Sequence, residues 1–190
     1  LFLSILLRLV YASQATFPLY FDSAQHYFLI KSILASEAGG TFAFPLTSYY
    51  HLGFHFLSAF IASITQAEIT RIMLILGQMI LALIPVPVFF LVRHETKSDI
   101  AGWFALLLSA FGWYMPAHAV DWGKYPALMS FGLIPFVLSL AYLISRQNSG
   151  FSARKRWILY GILGISAVLS VFTHSRSLVV LGIVFLACFA

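Results

Sequence analysis

The sequence predicts an all-α fold: a polytopic bundle of transmembrane helices with a long extracytoplasmic loop that carries amphipathic juxtamembrane helices. Three observations predict it. Of 190 residues, 61% are apolar and only 9% charged, against about 25% charged in a soluble domain. Mean hydropathy is +0.94. The apolar residues are gathered in runs long enough to compare with a bilayer. A water-facing exterior cannot be built from this composition, whereas a lipid-facing one can.

A spanning helix needs about 20 residues at roughly 1.5 Å each. By that measure spans are expected over about 1–12, 72–92, 100–115, 126–144, 157–173 and 177–190. The first and last runs stop without a cap or polar tail, so the chain reads as a stretch of something longer. A signal peptide is a poor reading of the first run, because no small-x-small cleavage site follows it. Pro85 and Pro87 should kink the far end of the second span. Loop 13–71 holds a helix over about 22–36, opened by Asp22 as an N-cap and closed by Gly39 and Gly40. A second apolar helix lies over about 52–64. Its 13 residues reach only about 20 Å as a helix. Either it crosses the membrane, or it lies along the interface. Its length and its aromatic, histidine-bearing start favour the interface.

With 52–64 at the interface, loops 93–99 and 145–156 share one face. They carry Arg93, Lys97, Arg146, Arg154, Lys155 and Arg156, which marks that face as cytoplasmic. Loops 13–71, 116–125 and 174–176 then share the other face. The net charge of +5 is accounted for by such loop cations. Cys188, the single cysteine, can close no internal disulfide.

Six carboxylates are present. Glu95 and Asp99 belong to a cytoplasmic loop; Asp22, Glu37, Glu68 and Asp121 fall on the opposite face. Asp22 and His26 are one helical turn apart and share a face, a spacing suited to a hydrogen bond or a divalent cation. His118, Asp121, Trp122, Lys124 and Tyr125 crowd one short loop. They form either an interfacial aromatic belt with a snorkelling lysine, or an acid beside a phosphate-gripping cation and two rings that could stack on a sugar. His174 and Arg176 punctuate two apolar runs. Arg176 must face water, a partner or an anion, and arginine with histidine suits a phosphate. Glu68 and Arg71 should form a local pair, Lys31 should snorkel, and His51 and His55 are expected as polar tips at the interface. Arg8 lies in the first span. Topology thus gathers Asp22, His26, Asp121, Lys124, His174 and Arg176 on one face, an arrangement suited to a lipid-linked phosphate.

This layout resembles the GT-C superfamily of integral membrane glycosyltransferases, which includes protein O-mannosyltransferases, aminoarabinose transferases and oligosaccharyltransferases. Phe21-Asp22 with His26 resembles the acidic opening of that family's first extracytoplasmic loop. Tyr49-Tyr50-His51-Leu52-Gly53-Phe54-His55-Phe56-Leu57 resembles its juxtamembrane segment, and Pro85 to Arg93 resembles the end of one of its spans. Asp121 before Trp122-Gly123-Lys124-Tyr125-Pro126 stands at the place of its second acidic motif, with one Asp where the family pairs two. The resemblance implies a multi-pass cell-membrane enzyme that moves a sugar from a polyprenyl-phosphate donor to an acceptor. Asp22 and Asp121 would be catalytic. Lys124, Arg176, His174, Trp122 and Tyr125 would bind substrate, and a divalent metal ion would sit on Asp22, His26 and Asp121. The implied partners are membrane lipids, the lipid-linked donor and a larger membrane-protein complex, with no nucleic acid. Two other classes stay open: a transporter, and a non-catalytic subunit of a membrane complex, in which His26, His51 or His118 could bind a pigment.

Overall fold

The computed structural model describes residues 1–18, 21–38, 51–112, 122–146 and 152–189. Among these residues the chain is all helical, with no strand. In order the helices are α1 (Phe2–Gln14), α2 (Phe21–Ala38), α3 (Gly53–Thr65), α4 (Ile69–Leu83), α5 (Pro85–Thr96), α6 (Asp99–Phe111), α7 (Tyr125–Arg146), α8 (Ala153–Thr173) and α9 (Arg176–Phe189). Three helical runs are long and apolar enough to cross a membrane: Ile69–Thr96, Tyr125–Arg146 and Ala153–Thr173. The helices Phe2–Gln14, Gly53–Thr65 and Asp99–Phe111 are apolar but shorter.

Local chemistry explains the boundaries. Ser98 caps α6 by accepting from the Ala101 amide at 3.2 Å, and Ser152 caps α8 through the Lys155 amide at 3.4 Å. α3 ends at Gln66, whose backbone is left-handed (φ 56) and whose N–H reaches the Ala62 carbonyl at 2.8 Å. The expected proline kink takes the form of a helix break at Ile84, with Pro85 opening α5. Proline lacks the N–H that would continue the ladder, but its fixed φ suits a first helical position. Asp22 lies within the first turn of α2, after Phe21, and is not its cap; a carboxylate there still favours the helix dipole. The expected Glu68–Arg71 pair is not made. Glu68 stands at the N-cap of α4 without a side-chain cap bond, and the ion pair among the described residues is Arg93 with Asp99.

The α4–α5 run and α7 lie side by side in parallel. Ser139 Oγ meets the Pro87 carbonyl at 3.5 Å across a separation of 52 residues. Gly132 faces Ile80 at the same separation, and a Cβ built on it would lie 3.3 Å from Ile80 Cγ2. α6 returns antiparallel to α5, with Phe89 and Trp103 5.1 Å apart. Consequently the starts of α4 and α7 lie at one end of the bundle, and the ends of α5 and α7 at the other. α2 and α3 pack against the first end. Ile30, Ile33, Phe54, Ala59, Met73, Leu81, Ile84, Tyr125 and Leu128 form the core where α2, α3, α4 and α7 meet. Outside it, Trp157, Ile165 and Val168 on α8 remain mostly exposed, as lipid-facing residues would be.

In lipid the tails are as apolar as leucine, so helices associate through close packing and interhelical hydrogen bonds. Both are present. Ser130 and Ser177 join α7 to α9 at 2.6 Å. The side chain of Arg8 donates from Nη2 to the Ala110 carbonyl at 3.0 Å, which ties α1 to the end of α6. Gly53 packs directly on Thr173, where a Cβ would approach Cα and Oγ1 to 2.9 Å. Gly53→Ala should therefore force α3 off α8 and cost about 1–3 kcal/mol. Gly164→Ala, with nothing within 4 Å of the new methyl, should leave stability equal or slightly higher. Thermal midpoints of the two variants in detergent micelles test the contrast.

Candidate functional site

The site begins with a histidine that α2 carries into the core. His26 is fully buried, one turn after Asp22, because the face of α2 that holds Ile30 and Ile33 also holds residue 26. Its Nδ1 lies 2.9 Å from Nε2 of His55 on α3. His55 is also fully buried, and its Nδ1 lies 3.1 Å from the His51 carbonyl. A carbonyl only accepts, so His55 Nδ1 bears the proton. Its Nε2 then accepts, and His26 Nδ1 is the donor. The Gly123 backbone lies close to His26 and favours its protonated form, at a glycine in the left-handed region (φ 67) where a side chain would be strained. Tyr125 packs edge-on to His26 and stacks on Phe54 at 5.2 Å.

The α3 end of this pair leads to the turn between α8 and α9. The rings of His51 and His174 are 4.6 Å apart. His51 Nε2 is 3.3 Å from the Ser175 hydroxyl, and the Arg176 amide donates to His174 Nδ1 at 3.3 Å. Three chain segments distant in sequence therefore meet through the histidines: the start of α2, the turn before α7, and the α8–α9 turn.

Burial dominates the electrostatics. α2 and α3 are not among the span-length helices, and both buried histidines resist protonation. Desolvation pushes His26 down to about 4, against the opposing pull of the Asp22 carboxylate and the Gly123 backbone. Desolvation and then the charge of His26 push His55 down to about 3, opposed by its bond to the His51 carbonyl. Burial, followed by the Arg176 cation, lowers His51. Burial, then His51 and Arg176, lowers His174. Near neutral pH the four imidazoles are neutral donors and acceptors beside the charged groups.

The sequence candidates fall as follows. Asp22 is half-buried and Lys124 and Arg176 are exposed, while His174 is partly exposed. Trp122 is partly exposed, and the Lys124 ammonium lies 5.5 Å above its ring. Tyr125 has no exposed surface, so its ring is core, and stacking on a ligand is left to Trp122. Asp121 and His118 lie outside the described residues. The expectation that His55 is an interfacial polar tip is corrected, because the ring is sealed in the core by the bond to His26. His51 and His55 are the residues that sequence reasoning undervalued. Their i, i+4 spacing on an apolar helix was the available signal, but nothing local shows that His26 faces them. Among the described residues, no group of three or more His, Cys, Asp or Glu side chains gathers to hold a metal ion, and His26 Nδ1 is committed to His55.

Residues 1–190 match the family described as "Family of unknown function (DUF6541)", and the chain belongs to that family. No curated protein and no solved structure matches it.

The pH dependence of folding follows from the pair. Each folded pKa is depressed below the unfolded value near 6.5. Between these values the unfolded chain binds protons that the folded chain does not, so stability falls as pH drops from about 6.5 toward 4. The slope is about 1.4 kcal/mol per pH unit for each histidine. His55→Gln keeps an acceptor for His26 but cannot titrate, so it should remove one histidine's share of this slope. Thermal midpoints measured across pH 4–7 in detergent check it.

Proposed function

For this family member we propose a role as part of a multi-pass cell-membrane glycosyltransferase. It moves a sugar from a polyprenyl-phosphate donor to an acceptor hydroxyl at the extracytoplasmic face. The observation that supports this reading is the meeting, at one end of the bundle, of Asp22, the Trp122–Lys124 pair and the His174–Arg176 turn, all linked through His26, His55 and His51. Sugar transfer from a lipid phosphate needs such a set of groups: a base for the acceptor and cations for the departing phosphate.

In this reaction the Asp22 carboxylate takes the proton of the acceptor hydroxyl. The acceptor oxygen bonds to the anomeric carbon as the bond from that carbon to the phosphate oxygen breaks. The polyprenyl phosphate leaves with the electron pair, and Lys124 and Arg176 balance its charge. Lysine offers a point charge and arginine a planar fork, and both are exposed, so they can meet a headgroup without crossing the core. His174 adds a neutral donor, and the exposed face of Trp122 offers a surface for the sugar. His26 and His55, neutral and hydrogen-bonded, hold α2 against α3 and so set where Asp22 stands.

The test is transfer of labelled sugar from a panel of polyprenyl-phosphate hexoses, using membrane vesicles that contain the full-length protein. Asp22→Asn should lower transfer by about 10²–10⁴-fold, with Asp22→Glu retaining part of it. Lys124→Gln and Arg176→Gln should raise the donor KM more than they lower kcat. Wild-type rates in Asp22→Asn would overturn the reading. Sidedness is separately measurable in a Cys188→Ala background. Single cysteines at the exposed Ala24 and Ser175 should label from outside the cell, and one at the exposed Ser152 should not. Labelling of Ala24→Cys and Ser175→Cys from opposite sides would separate Asp22 from Arg176 and remove the shared site.

A further inference from the structure

At the opposite end of the bundle, the ends of α5 and α7 and the start of α6 enclose an open cleft of about 500 Å³. Its lining is Phe90, Arg93, His94, Lys97, Asp99 and Leu143. The lining divides by chemistry. Phe90, half exposed, and Leu143 form an apolar wall on the side of the helix bodies. The cations stand at the helix ends.

The local charge is unbalanced. Arg93 shares its Nε with Asp99, and among the described residues the rest of its guanidinium fork makes no ion pair. Glu95 accepts from the Tyr142 hydroxyl. Arg146 donates from Nε to Tyr142 Oη at 3.1 Å, with its guanidinium 5.5 Å from that ring. Among the described residues, no carboxylate lies within ion-pair distance of the Lys97 ammonium. Lys97 is also held in a left-handed backbone conformation (φ 54), a position that glycine fills at lower cost. Arg154, Lys155 and Arg156 follow in the first turn of α8, which contains no acid. Six cations and two carboxylates thus stand at this end.

We propose that this cleft binds the headgroup of an anionic phospholipid, with its phosphate against Lys97 and Arg93 and its upper acyl chain along Phe90 and Leu143. Loop cations alone orient a membrane protein and need neither a cavity nor an apolar wall. Here the cations rim a cleft between helices at the end of two span-length runs, Ile69–Thr96 and Tyr125–Arg146. That is the depth at which headgroups lie, and basic pockets between transmembrane helices on the cytoplasmic side are suited to anionic headgroups. A soluble phosphate ester would share the polar chemistry but make no use of the apolar wall. The site is independent of the transfer reaction at the other end.

The experiment is native mass spectrometry of the full-length protein in detergent. The probes are phosphatidylglycerol, phosphatidylcholine with the same acyl chains, and glycerol 3-phosphate as the free headgroup ester. Phosphatidylglycerol should be retained in preference to phosphatidylcholine, and glycerol 3-phosphate should compete poorly. Lys97→Gly should weaken phosphatidylglycerol retention about fivefold, as expected for one cation near a membrane surface. This variant also relieves the backbone at position 97, so unfolding does not explain a loss. Arg93→Gln should weaken retention similarly. Arg71→Gln, at the other end of the α4–α5 run, should leave it unchanged. Equal retention of the two lipids, full competition by glycerol 3-phosphate, an unaffected Lys97→Gly, or an equal loss in Arg71→Gln would each overturn the proposal.

Discussion

An imidazole carried into an apolar interior loses its water and must replace those hydrogen bonds with others, or bear the cost of each one lost. His26 and His55 meet part of that demand through one another. α2 supplies one ring and α3 the other, and the second nitrogen of His55 reaches back to the carbonyl of His51. The bond joins residues 29 apart on consecutive helices. Without it, neither helix has reason to carry a histidine into a core otherwise made of Phe54, Tyr125, Met73 and Leu128. The depth of burial also keeps both rings neutral, so the contact stays a neutral hydrogen bond and does not become a repelling pair of cations.

The position of the polar groups follows from that contact and from one packing relation. Because the α4–α5 run and α7 lie parallel, every intervening chain must return, and the bundle acquires two chemically different ends. At one end histidines, a carboxylate and exposed cations meet around the buried pair. At the other the basic residues stand over Phe90 and Leu143. Among the described residues, the exposed surface of the long helices between the ends is mostly apolar. Lipid contact costs such a surface nothing, and helix association then relies on close approaches such as Gly53 on Thr173 and on bonds such as Ser130 with Ser177.

Much of the helix pattern was legible in the chain. Apolar runs between polar breaks located α7, α8 and the α4–α5 run within a few residues, since a span-length apolar segment has few alternatives. The break at Ile84 was legible because proline lacks an N–H wherever it stands. Less legible were properties that depend on a distant partner. Asp22 read as a cap from its residue type, yet the helix begins one residue earlier. Glu68 and Arg71 had the spacing of a pair but do not form one, since two exposed side chains gain little from meeting in water. Tyr125 read as an interfacial ring, and Phe54 made it core.

The sequence by itself determined that the chain is helical, that its surface is apolar, and where its charges lie along the chain. Those properties follow from composition and local periodicity, which need no knowledge of neighbours. Only the tertiary structure decided that His55 faces His26, that His51 meets His174, and that Lys97 lines a cleft together with Leu143 from α7. Each depends on which face of one helix meets which face of another. That choice is made by close packing and by the pairing of buried polar groups across the bundle, and periodicity within one helix carries no record of it.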